Sequence, residues 1–213
     1  MWQRHDLFHD AGLQLAQRLG VPAVLFAPAA KVWEAEQWGT TRPGWGGLLE
    51  RHAERPSLLG ADLVACGSQP VVDQALRMGV PADRLLLTPS GVDLDLFGDP
   101  PDPAPLRRRL DVDGRFVVGW VGSFRRFHAV EQAVEAAAAV PDAALLLVGD
   151  GPERARIERL AHELGVHAVF TGTVPHDELP VYLAAMDAAV VLAQRGEPFH
   201  YSPLKLAEYM AAG

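Results

Sequence analysis

The chain has 213 residues, 49% of them hydrophobic and 22% charged, with a formal net charge of −8 at pH 7. This length suits one large domain or two small ones, and the apolar share supports a sizeable core. The negative charge excludes bulk attraction to nucleic acid or to an anionic membrane, so any anion site must be a local basic cluster. The single Cys66 excludes an intramolecular disulfide and a cysteine metal cage, and its place in Leu63-Val-Ala-Cys66 reads as a core thiol. No apolar stretch reaches about 18 residues, since Tyr182 to Ala193 is broken by Asp187. Met1-Trp-Gln-Arg-His-Asp6 has charges and no apolar segment behind it, so no secretory signal is expected and the expected location is the cytoplasm.

In chain order, the first half predicts a helix over about Leu7 to Arg18 and a strand over Ala23 to Phe26. A region rich in Trp, Gly and Glu runs to about Gly47, followed by a helix over Leu48 to Leu59. A strand at Leu63 to Ala65, a helix at Pro70 to Arg77 and a strand at Arg84 to Thr88 complete it. These are too few strands for a whole doubly wound domain, and the half reads as the closing part of one. His5 and His9 are four apart, a spacing open to a metal pair or to a half-exposed helix face. The proline run Pro100 to Pro105 is the expected linker, with the boundary near residue 98, giving domains 1–98 and 99–213.

The second half alternates more regularly. Strands are predicted at Arg115 to Val121, Ala143 to Val148, His167 to Thr171 and Ala188 to Leu192. Helices are predicted at Ala129 to Val140, Glu153 to Leu164 and Asp177 to Ala185, and a last short helix carries Lys205 and Glu208. Arg18-Leu-Gly20-Val-Pro22, Arg77-Met-Gly79-Val-Pro81 and Glu163-Leu-Gly165-Val-His167 repeat one punctuation, a helix stopped by glycine before an apolar run. Continuously apolar strands between helices imply a parallel sheet covered on both faces. The fold class is therefore α/β and Rossmann-like, with a further strand or strands expected beyond Gly213. Ending the chain there would expose a sheet edge, so low stability or oligomerisation is expected of the 213-residue form.

In such a sheet, ligands bind at the carboxyl ends of the strands. Gly122-Ser123-Phe-Arg125-Arg126-Phe-His128 joins a strand end to a helix start and offers three cationic side chains, either an anion site fit for a diphosphate or a solvated basic turn. Gly149-Asp-Gly151-Pro152 is a tight turn or a close backbone approach to ligand, and it lacks the third glycine of a dinucleotide fingerprint. Lys205 and Glu208 share one helix face after Ser202 and Pro203, as a surface ion pair or as phosphate and ribose contacts.

Taken together, Ala61 to Ser68, Thr88 to Phe97, Val118 to Phe124, Leu147 to Pro152, Val169 to Gly172 and Ser202 to Gly213 resemble, in order and spacing, a family-4 retaining glycosyltransferase of the GT-B fold over about residues 4 to 213. That resemblance implies two Rossmann-like, doubly wound parallel-sheet domains facing across a cleft, both incomplete here. The C-terminal domain would bind a nucleotide-diphosphate sugar and the N-terminal domain a hydroxyl acceptor, a glycan, lipid or small molecule. It implies catalytic roles for Arg125, Arg126, His128 and Lys205, and donor binding by Gly122, Ser123, Gly149, Gly151, Gly172, His200, Ser202 and Glu208. Glu34 would sit on the acceptor side, with peripheral membrane contact through that domain. No cofactor, metal or nucleic acid is implied. Where relatives place an arginine after the loop glycine and a lysine-glycine pair further on, this chain has Ser123, His128 and Ala129; the first of their two glutamates is His200 here. The expected reaction is transfer of the sugar to the acceptor hydroxyl with retained configuration; the alternative is a non-catalytic nucleotide-sugar binding fragment.

Overall fold

The computed structural model describes residues 1–37, 42–193 and 202–213. The chain packs as two compact units that divide after Ser90, with Ser202 grouped with the first.

The first unit contains β1 (Trp2–Arg4), α1 (Ala11–Leu19), β2 (Val24–Ala27), α2 (Lys31–Gln37), α3 (Gly46–Leu49), α4 (Arg55–Gly60), β3 (Leu63–Cys66), α5 (Gln69–Arg77) and β4 (Leu85–Leu87). Its strands lie parallel in the order β1-β2-β3-β4. α1 stops at Gly20, whose left-handed φ of 64° returns its N–H to the last turn. A π-helical turn, Glu50–Glu54, joins α3 to α4 and carries Glu54 into the interior. There the carboxylate accepts the N–H groups of Lys31 at 2.6 Å and Val32 at 3.3 Å, capping α2 from a distant part of the chain. Leu25, Val64 and Cys66 are fully buried beneath these helices. Burial pushes the Cys66 thiol up to about 11, as suits an inert core residue.

The second unit contains α6 (Leu94–Phe97), α7 (Ala104–Arg109), β5 (Phe116–Val121), α8 (Glu131–Ala138), β6 (Ala143–Val148), α9 (Arg154–Glu163), β7 (His167–Gly172), α10 (Leu179–Ala184), β8 (Ala188–Ala189) and α11 (Leu204–Ala212). Its sheet is parallel in the order β7-β6-β5-β8. β6 is buried at every position, and successive residues serve opposite faces. Ala144, Leu146 and Val148 pack with Val117, Phe97, Leu183 and Tyr209, while Leu145 and Leu147 pack with Trp120, Val134 and Ile157. Strand order turns back at β5, so a topological switch lies between β5 and β8. Among the described residues, no helix is long and apolar enough to cross a membrane.

Four expectations need correction. The division falls after Ser90 rather than near 98, because Phe97 is buried with Val112 and Val117 in the second core. The proline run is in part helical: α7 opens at Ala104, with Pro105 in its first turn, where a missing N–H costs nothing. The strand expected over Ala188 to Leu192 pairs only at Ala188–Ala189. His5 and His9 do not share a helix, since α1 starts at Ala11 and His5 is buried just beyond β1.

Candidate functional site

The second unit carries a cleft of about 320 Å³ at the carboxyl ends of β5, β6 and β7, lined by Gly122, Ser123, Gly149, Asp150, Thr173 and His176 among others. Two loops form its floor. Gly122 donates its N–H to the Val148 carbonyl at 2.9 Å, Phe124 to Asp150 at 3.0 Å, and Glu153 to Phe124 at 2.9 Å. The loops approach closely because glycines allow it: a Cβ on Gly149 would stand 2.0 Å from the Gly122 carbonyl oxygen. A Cβ on Gly151 would stand 2.7 Å from the Phe124 nitrogen, so both glycines join loop to loop. Gly172, with φ 75°, ends β7 and accepts the Gly149 N–H at 2.8 Å.

The basic residues of the Gly122 loop separate into two kinds. Arg125 and Arg126 are exposed at the start of a 3₁₀ turn, Arg126–His128, and Ala129 (φ 51°) delays the following helix to Glu131. His128 is buried, edge-on to Trp120 at 5.6 Å, and its Nδ1 donates to the Ser123 carbonyl. A carbonyl only accepts, so Nδ1 carries the proton. Burial lowers the His128 pKa to about 4, with Lys205 and Arg125 adding to the effect against the Ser123 hydrogen bond. His128 is therefore neutral at pH 7. It fastens the loop and does not supply the third cation expected from the sequence.

α11 brings three side chains to this end of the sheet. Residues 205, 208 and 209 are spaced i, i+3 and i+4, which puts them on neighbouring helix positions. The Lys205 ammonium lies 4.5 Å from the centroid of the Trp120 ring, a cation–π contact. A Cβ on Gly122 would stand 2.7 Å from Lys205 Nζ, so glycine there leaves room for the ammonium. Burial lowers the Lys205 pKa to about 8, opposed by Glu208. Glu208 is 5% exposed; burial raises its pKa, while His176 and Lys205 pull it down. The Tyr209 hydroxyl accepts the Val121 N–H at 2.8 Å, tying the helix to the end of β5. Burial raises the Tyr209 pKa, keeping the phenol neutral.

Tyr209 and Trp120 were missed by the sequence reading, although the spacing of Tyr209 from Lys205 was a usable signal. Ser202 does not cap α11: its hydroxyl accepts the N–H of Ser90 at 3.1 Å within the first unit, and Pro203 holds the cap position. His200 lies outside the described residues.

The first unit has its own cavity, of about 740 Å³, lined by Arg4, Asp6, Phe8, Lys31, Glu34 and Trp45 among others. It opens at the carboxyl ends of β1 and β2. Lys31 and Glu34 are ion-paired on α2, and the Arg42 guanidinium lies 5.3 Å from the centroid of Trp45. Aromatic faces beside carboxylates and guanidinium groups suit a polyhydroxylated ligand, which offers both C–H faces and hydroxyl donors. Among the described residues, no group of three or more His, Cys, Asp or Glu side chains is placed to hold a metal ion.

The family model described as "Glycosyl transferases group 1" matches residues 105–213. A GDP-mannose-dependent alpha-mannosyltransferase of Mycobacterium tuberculosis (strain CDC 1551 / Oshkosh) is 32% identical over 182 residues, covering 84% of this chain and 45% of that protein. Among solved structures, the sucrose-phosphate synthase of Thermosynechococcus elongatus is 29% identical with a TM-score of 0.75, covering 100% of this chain and 54% of that one. HepE of Anabaena, solved in complex with UDP, shares the fold at 22% identity and a TM-score of 0.72, over 94% of this chain and 54% of its own. The chain spans about half the length of the curated relatives it matches. A two-unit α/β architecture with parallel sheets, a cleft at the carboxyl ends of β5, β6 and β7 and a family match over residues 105–213 lead to one conclusion: the chain belongs to the group 1 glycosyltransferases, enzymes of the GT-B fold.

Proposed function

We propose that the second unit binds a nucleoside-diphosphate sugar and that the protein transfers the sugar to an acceptor hydroxyl with retention of configuration. The observation that carries this reading is the meeting, at the end of β5, of Lys205 from α11 with Gly122 and Trp120, with the buried Glu208 one turn further along the same helix. A diphosphate needs preorganised positive potential, and Lys205 with the α11 N-terminus supplies it. The two ribose hydroxyls need an acceptor, and a buried carboxylate at Glu208 supplies that. Thr173, Val174 and His176 line the remaining wall, where the base would lie. HepE, which has the same fold, is solved with UDP.

In the reaction, the bond between the anomeric carbon and the diphosphate oxygen breaks, and both electrons leave with the phosphate. Lys205 stabilises the charge that grows on that oxygen, with Arg125 and Arg126 as outer cations. The acceptor oxygen bonds to the anomeric carbon on the face the phosphate leaves, and its proton passes to the departing phosphate. The first unit supplies the acceptor in this reading, with Glu34 orienting the attacking hydroxyl beside Lys31.

Calorimetric titration with UDP, GDP and ADP tests the donor site. One nucleotide should bind selectively, and Lys205→Ala and Glu208→Ala should each weaken it about tenfold or more, the scale of a lost charged hydrogen bond. A folded protein that binds none of the three sinks the reading.

A further inference from the structure

Three features meet at the cavity of the first unit that packing does not account for. The first is Arg4, the last residue of β1, whose exposed side chain lines the cavity. Among the described residues its guanidinium makes no ion pair, hydrogen bond or ring contact. The other cations of the lining differ: Lys31 is paired with Glu34, and Arg42 lies over Trp45. The second feature is Phe8, 72% exposed on the same lining with a left-handed φ of 61°. That conformation is strained for a residue with a Cβ, and a phenyl ring left in water adds to the cost. The third is Trp45, 47% exposed just before α3. One exposed aromatic side chain is ordinary. Two of them and a free guanidinium, one on strained backbone, around a single cavity of about 740 Å³ form a recognition surface.

The charges of the lining indicate what is recognised. The cations Arg4, Lys31 and Arg42 outnumber the carboxylates Asp6 and Glu34, in a chain whose net charge is −8. Glu34 is matched by Lys31, and Asp6 turns Oδ1 to the Leu7 N–H at 2.9 Å. The Arg4 guanidinium is left with its donors open. Such a group is a planar fork of N–H donors, and its best partners are the paired oxygens of a phosphate or a carboxylate. Aromatic faces take the C–H faces of a sugar ring.

We propose that the first unit takes an anionic acceptor, a hydroxylated ring that bears a phosphate ester or a carboxylate. Arg4 holds the acidic group, Phe8 and Trp45 hold the ring, and Glu34 orients the attacking hydroxyl. This rests on the acceptor reading of the cavity given above and adds the class of acceptor to it. Arg4 is then the residue that separates charged from neutral acceptors. Its place suits that role: β1 is the edge strand of its sheet, paired with β2 alone among the described residues, so a change of side chain at Arg4 leaves the core intact.

The test is titration of the 213-residue protein with glucose 6-phosphate, glucuronate and glucose, followed by saturation-transfer NMR, which reads weak complexes. At least one of the two anionic sugars should bind about tenfold or more tighter than glucose, the scale of a hydrogen bond to a charged group. Preference for glucose 6-phosphate alone assigns a phosphate ester, for glucuronate alone a carboxylate, and for both an anion of either kind. Arg4→Gln should remove the preference and leave glucose binding unchanged. Arg4→Lys, which keeps the charge without the fork, should retain part of it. Phe8→Ala should weaken all three sugars alike. Saturation with the nucleoside diphosphate that binds best should leave the preference in place. A preference that survives Arg4→Gln overturns the proposal, and so does one that disappears under saturating nucleotide, because the anion would then sit in the cleft of the second unit. Equal binding of all three sugars, weakened by Phe8→Ala, overturns it while keeping the cavity as a sugar site. A folded protein that binds none of the three loses the acceptor reading along with the proposal, whatever its nucleotide binding shows of the donor site.

Discussion

The two sheets have the same number of strands, the same parallel sense and opposite habits of order. In the first unit, strand follows strand across the sheet, β1 to β4, and the chain never turns back. In the second, β6 and β7 go to one side of β5 and β8 to the other. Among the described residues, only the second sheet has a point where the strand order reverses, between β5 and β8. The cleft of the second unit, at the ends of β5, β6 and β7, is built from backbone and glycine, with Gly122 and Gly149 packed loop on loop. The first unit instead lines its larger cavity with side chains from loops and α2. Backbone suits a diphosphate, a ligand of fixed shape and charge. Side chains can vary without touching the sheet, which on the proposed reading suits the acceptor.

The comparison breaks first at Gly149. A Cβ there has only backbone to meet, at 2.0 Å from Gly122 O, and φ is 126°. Gly149→Val should destabilise the second unit by about 3 kcal/mol or more, the scale of strained backbone plus overpacking, and abolish nucleotide binding. Urea unfolding read at Trp120, after the other tryptophans are replaced, measures it. An unchanged midpoint would show that the loops can part at little cost.

The matching weak point of the first unit is a side chain. Glu54→Ala would leave the N–H groups of Lys31 and Val32 without their buried acceptor. A loss of about 2 to 3 kcal/mol is expected, together with loosening of α2 and of the Lys31–Glu34 pair. Hydrogen exchange should report it at α2, while nucleotide affinity in the second unit stays within about twofold. Faster exchange confined to β5 and β6 would contradict this account.

Lys205 sharpens the contrast between stability and function. Its pKa falls to about 8 from 10.5 because burial penalises the ammonium. A lysine depressed in the folded state binds fewer protons than the unfolded chain between these values, so this group adds stability as pH rises through that window. On the proposed reading, nucleotide affinity should run the other way in the free protein, falling as pH rises through about 8 and the ammonium is lost. Lys205→Met should therefore raise the unfolding midpoint at pH 7 and cost nucleotide binding about tenfold or more. A variant that lost stability as well would show that the Trp120 contact outweighs the burial of the charge.

How much of this was readable in the sequence follows the same division. β6, Ala143–Val148, was read to the residue, because six apolar positions between the Pro141-Asp142 turn and Gly149 leave little choice. Lys205 and Glu208 were read as one helix face, and Gly122 as a strand-ending glycine, because both signals are local. α2 was not read: its start carries no side-chain signal of its own, and its cap is Glu54, 23 residues on. β1 was hidden for a like reason, since Trp2–Arg4 is a strand only through its pairing with Val24, Leu25 and Phe26. The role of His128 was misread because charge in sequence says nothing of burial; a residue 8% exposed, donating to Ser123, is a fastener. Local codes reveal elements and faces, whereas remote caps and burial have to be seen in three dimensions.

The smallest expected effect also separates the units. Gly47 lies in α3 with nothing within 4 Å of where its Cβ would be, and its backbone is compatible with any residue. Alanine there would restrict the unfolded chain and favour helix, with no clash to offset either gain. Gly47→Ala should stabilise the first unit by about 0.5 kcal/mol, against the loss expected for a side chain at Gly149. The two substitutions remove the same freedom from the unfolded chain. Their difference in urea midpoint therefore measures the native cost of the loop contact under the cleft, and a Gly149→Ala variant as benign as Gly47→Ala would mean that Gly149 is dispensable to the site.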